Sequence, residues 1–311
     1  MKHWKIPADR ETVDLSSLMP RQVGLFYLFL VAICHQTSPR GRKALEGVVA
    51  GVPRKGWDFL LHSFLRAVAA DPSLIEVKTW RGFDVLRIRG LFSSDLTEPD
   101  QRARLIRDLG EVMQANGWET ADMIHKEAAG HILDREPSLV SLLSRFRAYD
   151  DPVRKKTFYF LSLMRNHGIW QYVDLENLGA PVDYHEVRGH LRLGTVQIHS
   201  STLRNKIEKF QPVDPEEDIA IRQATFDAIQ AIAGQVGRTP SELHYLFWNV
   251  FRSNCVREFP NCFGTRPSPL PEPYRQLSPD VVDNACPFAG KCPSAGRHRP
   301  PCEHVFDTDY Y

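Results

Sequence analysis

The chain has almost no net charge, with 39 lysines and arginines against 38 aspartates and glutamates. No global field therefore draws it to nucleic acid or to an anionic membrane, although a local basic groove fits inside a neutral total. It also lacks an apolar run of membrane length. The longest, Gly24–Cys34 (GLFYLFLVAIC), has 11 residues, where a span needs about 20. That run follows Asp9, Arg10, Glu11 and Asp14, which does not match the form of a secretory signal. The expectation is a soluble, cytoplasmic protein with no membrane association and no obligate protein partner evident. Internal repeats are absent. Cysteine is nearly absent from the first 254 residues, where only Cys34 occurs.

What is present is a 42% hydrophobic chain of 311 residues, enough for one large or two small domains with a real core. Periodicity is mostly helical. The block 20–34 reads as a buried helix, and 56–70 places Trp57, Leu60, Leu61, Phe64 and Val68 at helical spacing. Helical patterns return over 102–116, 138–146, 155–167, 183–193 and 217–236. Thr239-Pro240-Ser241-Glu242 then opens a further helix with a hydroxyl cap, a proline in the first turn and Glu three residues on. Residues 75–92 alternate enough to predict a small β-hairpin turning at Arg81-Gly82. From 260 to 303 there are ten prolines and little apolar periodicity, so this stretch cannot fold around a core of its own. These features predict a mainly all-α fold with a helical domain over 1–254 and a Cys-rich C-terminal segment over 255–311.

The remaining five cysteines crowd into that segment: Cys255-x6-Cys262, then 23 residues, Cys286-x5-Cys292, and Cys302 after nine more. In a reducing cytosol such a cluster favours metal over disulfides. The gaps do not match the short knuckles of zinc sites. They suit a larger object, and a [4Fe–4S] cluster on Cys255, Cys262, Cys286 and Cys292 is the preferred reading. Zinc is the alternative, as are thiols that bind nothing. His298, His304 and Cys302 are further candidate ligands.

Upstream, Asp183 and Glu186 in Val182-Asp183-Tyr184-His185-Glu186-Val187-Arg188 form an acidic capping box, and capping alone accounts for both. The functional reading is that a carboxylate fixed at a helix start stabilises the oxocarbenium character of a breaking N-glycosidic bond. Arg154-Lys155-Lys156-Thr157 puts cations at the start of an apolar helix, the end that disfavours them. A lysine amine against an apolar wall can form a Schiff base with a sugar carbon.

Together these residues resemble the helix-hairpin-helix DNA glycosylase superfamily, the group containing endonuclease III. Its members carry the catalytic Asp in a Val-Asp-x-His-x-x-Arg-type segment, and its cluster-bearing members end in Cys-x6-Cys-x2-Cys-x5-Cys. The central part is similar to archaeal 8-oxoguanine DNA glycosylases, at Lys156-Thr157, Pro181-Val182-Asp183-Tyr184 and Gly237-Arg238-Thr239-Pro240. The resemblance implies a two-lobed glycosylase-like fold around a base pocket, with Asp183 and Lys156 (or its neighbour Lys155) as catalytic residues. It implies duplex DNA as partner, base excision by flipping, and AP-lyase activity if the lysine acts.

The Gly-x-Gly hairpin of the superfamily is replaced by Asp151-Pro152-Val153-Arg154, which weakens the case for the usual phosphate grip. Queuosine-salvage nucleosidases are the alternative resemblance, at Asp183-Tyr184 and Ile221-Arg222 to Ile232; they cleave free nucleosides and bear no cluster. A non-catalytic nucleic-acid-binding module is the third reading. Cys34-His35-Gln36-Thr37 resembles the segment in which glycosylases place a base-contacting Gln. Gln36 is thus a candidate for the base edge, and Trp57 for stacking on a base or for the core.

Overall fold

The computed structural model describes residues 1, 3–6, 13–38, 40, 43–92, 96–267, 270–275, 277 and 284–311. It is mainly helical, with one two-stranded antiparallel sheet among these residues. None of its helices is long and apolar enough to cross a membrane. The chain divides into two compact units. One comprises Met1–Asp9 with Leu178–Asp307, the other Arg10–Asn177 with Thr308–Tyr311; they are called here the aspartate unit and the lysine unit.

The lysine unit is built on the helix Pro20–Ala32, whose residues from Val23 to Ala32 are all buried. Phe29 stacks on Phe64 at 4.3 Å and meets Trp80 and Phe83 edge-on, burying large apolar area in favourable ring geometries. Gly24 lets this helix approach Ala121, since a Cβ there would lie 2.8 Å from the alanine Cβ. The helix Lys155–Asn166 packs along it.

The hairpin is not where alternation predicted it. Residues 72–92 form short helices, Pro72–Ile75, Val77–Trp80 and Val85–Phe92. Local caps decide this: the Asp71 carboxylate accepts from Ser73 N and the Asp84 carboxylate from Arg87 N, while Ile75, Trp80, Phe83, Ile88 and Phe92 all turn into the core. The observed hairpin pairs Glu46–Val49 with Val52–Lys55 around Ala50-Gly51. Both turn residues have positive φ, 50° and 79°, as a two-residue turn matched to strand twist requires. Its strands expose Val48 and Val52, so they carry no clean alternation to read.

In the aspartate unit, helices Tyr184–Leu193, Pro215–Val236 and Pro240–Ser253 enclose one core. Leu270, Tyr274, Leu277 and Phe288 join it, so described residues of the proline-rich stretch lend apolar side chains to the core of the neighbouring helices. Whereas composition set 255–311 apart from 1–254, packing groups 255–307 with 178–254 and returns 308–311 to the lysine unit. Gly189 is where the helices Tyr184–Leu193 and Pro240–Ser253 touch. A Cβ there would fall 2.1 Å from the Phe251 ring.

Candidate functional site

Asp183 is the N-cap of the helix Tyr184–Leu193. Its Oδ1 accepts from the amides of His185 (2.7 Å) and Glu186 (3.3 Å), and its Oδ2 accepts from the Trp248 indole at 3.1 Å. The capping box closes as Glu186 Oε2 accepts from Asp183 N, while Glu186 Oε1 takes a 2.7 Å bond from buried His244 Nδ1. Asp183 itself is only half-buried. A helix N-terminus and three donors thus fix a carboxylate that still meets solvent.

Around it lies a surface of rings and guanidinium groups. Arg252 sits over the Trp248 ring at 4.7 Å and Arg257 over Tyr184 at 5.0 Å. His185 Nδ1 accepts from Arg188 at 2.7 Å, which leaves its proton on Nε2. Burial, then Arg188, Arg252 and Arg257, hold His185 well below the ordinary imidazole range, so it is neutral near pH 7. Arg188 and Arg257 both bind buried Glu303, Arg188 at 3.0 Å. Burial raises that carboxyl, but Arg188 and Arg257 outweigh it and bring it down to about 2. The Arg188 and Arg257 guanidinium groups are therefore both anchored on Glu303.

Trp248, which bonds Asp183, lies between His244, which bonds Glu186, and Arg252, which packs on the Trp248 ring, spaced i, i+4, i+8 on one helix. The sequence reading missed this stripe, although the spacing alone places the three on one side.

Cys255, Cys262, Cys286 and Cys292 line a single cavity of about 20 Å³, together with Gly189 and Arg192. Cys302, His298 and His304 do not line it; His304 is instead bound to Asp218 at 2.7 Å. The four thiols surround a space rather than a point. Among the described residues no group of three or more His, Cys, Asp or Glu is close enough to hold a single metal ion. Burial, with the neighbouring thiols adding to it, pushes the Cys286 thiol far up, so four thiolates there require a compensating cation. The Arg192 guanidinium, almost fully buried, donates to the carbonyls of Cys255, Val256, Arg257 and Pro301 and lies 3.3 Å from Cys255 Sγ. It both shapes the loop and brings positive charge to the thiols. Four cysteines lining one space are a donor set of the kind that holds a thiolate-ligated metal group.

The other predicted site residues belong to the lysine unit. Lys156 is fully buried; its Nζ donates to Ala32 O at 2.5 Å and to Asp309 O. Burial lowers it to about 7. The two N–H groups of a neutral amine match those two carbonyls and leave its lone pair for chemistry. Lys155 points elsewhere, with Nζ 3.2 Å from Cys34 Sγ and 5.5 Å from the Tyr159 ring centre. Gln36 adopts a left-handed backbone, φ 47°; its amide N–H donates to Tyr311 O and its side chain to Thr308 O. Trp57 is half-buried and meets Tyr159 edge-on at 5.0 Å.

At the position of the missing glycine hairpin, the Asp151 carboxylate accepts from Val153 N (3.1 Å) and Lys155 N (2.9 Å). Both amides are thus occupied by the chain's own carboxylate. Arg154 supplies the left-handed turn, φ 61°, that glycine would otherwise fill.

No protein-family model matches this chain, and no curated protein matches it either. The resemblance to glycosylases rests on the sequence motifs alone.

Proposed function

We propose that the protein is an N-glycosylase that cleaves the bond between a damaged or modified base and its sugar, with Asp183 supplying negative charge at the anomeric carbon. One observation carries this reading: a half-buried carboxylate, fixed by helix amides and the Trp248 indole, amid stacked arginine–aromatic pairs. A fixed anion favours the oxocarbenium-like transition state more than the neutral ground state. Trp248, Tyr184 and their arginines offer ring faces and cations to a base and a phosphate. DNA bearing a flipped base is the first substrate class.

Lys156 adds the lyase branch. Its neutral amine attacks the sugar carbon as the base departs, giving a Schiff base after ring opening. Borohydride trapping on lesion-bearing or abasic DNA tests this directly: an adduct that disappears in Lys156→Ala supports it, and an adduct that survives sinks it. Cys255, Cys262, Cys286 and Cys292 would hold a [4Fe–4S] cluster, which fastens the segment around the Arg192 hub and the arginines beside Asp183. Zinc is the alternative occupant.

One observation favours a second reading, cleavage of a free nucleoside: the Asp151 carboxylate occupies two amides at the position of the missing glycine hairpin. Gel-shift titrations separate the two, because duplex binding through several phosphates weakens steeply with added salt. A flat salt dependence, with turnover of free nucleosides, selects the nucleosidase.

A further inference from the structure

Lys156 has no exposed surface, yet a nucleophilic amine must meet an external electrophile. What covers it is in part the segment 308–311. The Asp309 carbonyl accepts from Lys156 Nζ. The Asp309 carboxylate accepts from Gln101 Nε2 and faces Arg147 at 3.6 Å. The carbonyls of Thr308 and Tyr311 accept from the side chain and backbone of Gln36, at 3.4 and 3.2 Å. Lys156 and Gln36, two of the residues that the sequence singles out in this unit, are therefore both bound by this one segment, Lys156 through Asp309 and Gln36 through Thr308 and Tyr311.

We propose that residues 308–311 are an intramolecular strap occupying the lysine pocket, which must be displaced before an aldehyde or sugar carbon reaches Lys156. The proposal rests on reading Lys156 as an amine nucleophile. The strap's carbonyl oxygens accept from Lys156 Nζ and from the side-chain and backbone N–H groups of Gln36, so they occupy donors that a substrate's own acceptors would otherwise meet. Its hold is mostly polar: hydrogen bonds, and an ion pair to Arg147, whose side chain is 62% exposed. Only Tyr311 adds a buried ring. Segments held in this way belong to the low-stability end of a fold and open locally without global unfolding. Lys155 is an internal control, since its amine is held by Cys34 and Tyr159 and not by the strap.

The test is reductive methylation with formaldehyde and cyanoborohydride, read by mass spectrometry at Lys156 and Lys155. In this reaction the amine nitrogen adds to the aldehyde carbon, the aldehyde oxygen leaves as water, and hydride reduces the imine. The full chain is compared with Asp309→Ala, which removes the Gln101 and Arg147 anchors, and with deletion of 308–311. Lys156 labelling is expected to rise about tenfold or more in both, with Lys155 unchanged, and a synthetic 305–311 peptide should restore protection to the deletion variant. Equal Lys156 labelling with and without the strap, or a parallel rise at Lys155, overturns the proposal.

If the deletion variant does not fold, hydrogen exchange on the unaltered chain decides. Exchange of the Gln36 amide by local opening, faster than the amides of Pro20–Ala32, supports the strap. Exchange only with global unfolding refutes it. Labelling that rises without any DNA adduct keeps the strap and removes the lyase reading; an adduct formed equally fast with and without 308–311 does the reverse.

Discussion

The two oxygens of Asp183 are engaged differently, one by helix amides and the other by the Trp248 indole, and substitution can separate capping from chemistry. Asparagine caps about as well as aspartate, whereas alanine costs about 0.5–2 kcal/mol. Asp183→Asn keeps the capping oxygen but turns an amide donor towards the Trp248 indole N–H, so its urea midpoint should fall less than that of Asp183→Ala, which loses about 1 kcal/mol. Equal destabilisation by both would mean that the carboxylate charge, not the cap, holds the helix start. Lys156 makes a separate prediction. Its folded-state value lies near 7 against an ordinary 10.5, so the unfolded chain binds more protons between these limits. Stability should then rise with pH across that window. Lys156→Met should remove this part of the slope in urea midpoints measured from pH 7 to 10, and an unchanged slope would contradict the burial of its amine.

At the scale of elements, the crossing of Tyr184–Leu193 with Pro240–Ser253 depends on Gly189. Gly189→Ala should cost about 1–3 kcal/mol by overpacking against Phe251, seen as a lower urea midpoint. It should also disturb the thiol cavity that both residues line. A neutral Gly189→Ala would mean that the helices can separate freely. These helices were legible in the sequence because each begins with a capping box, Asp183 with Glu186 and Thr239 with Glu242, and both boxes are present. The hairpin was not legible. Alternation over 75–92 was overridden by the Asp71 and Asp84 caps and by five core side chains, whereas the actual strands carry Pro53 and exposed valines.

For the whole molecule, local signals run out. Cys255, Cys262, Cys286 and Cys292, which the gaps grouped as candidate ligands, line one cavity despite 23 residues between the middle pair. Helical spacing places His244, Trp248 and Arg252 on one face, but the Trp248 contact with Asp183 spans 65 positions and is not encoded by that spacing. Glu303 under Arg188, and 308–311 over Lys156, join residues more than 100 positions apart, and no local pattern encodes such pairings. If a cluster holds the Cys-rich segment, anaerobically purified protein should be brown and contain equal iron and sulfide. Cys286→Ser should lose both and lower the melting temperature; zinc at one per chain in colourless protein would favour the alternative occupant.

The claim on which the rest depends is that Asp183 drives N-glycosidic cleavage. Release of modified bases should be followed by mass spectrometry over a panel of lesion-bearing DNA duplexes and free nucleosides, with native protein and folded Asp183→Asn. Release from at least one substrate class is predicted, falling about 10²–10³-fold in Asp183→Asn. Release undiminished in Asp183→Asn, or no release from any member of either class, would contradict it.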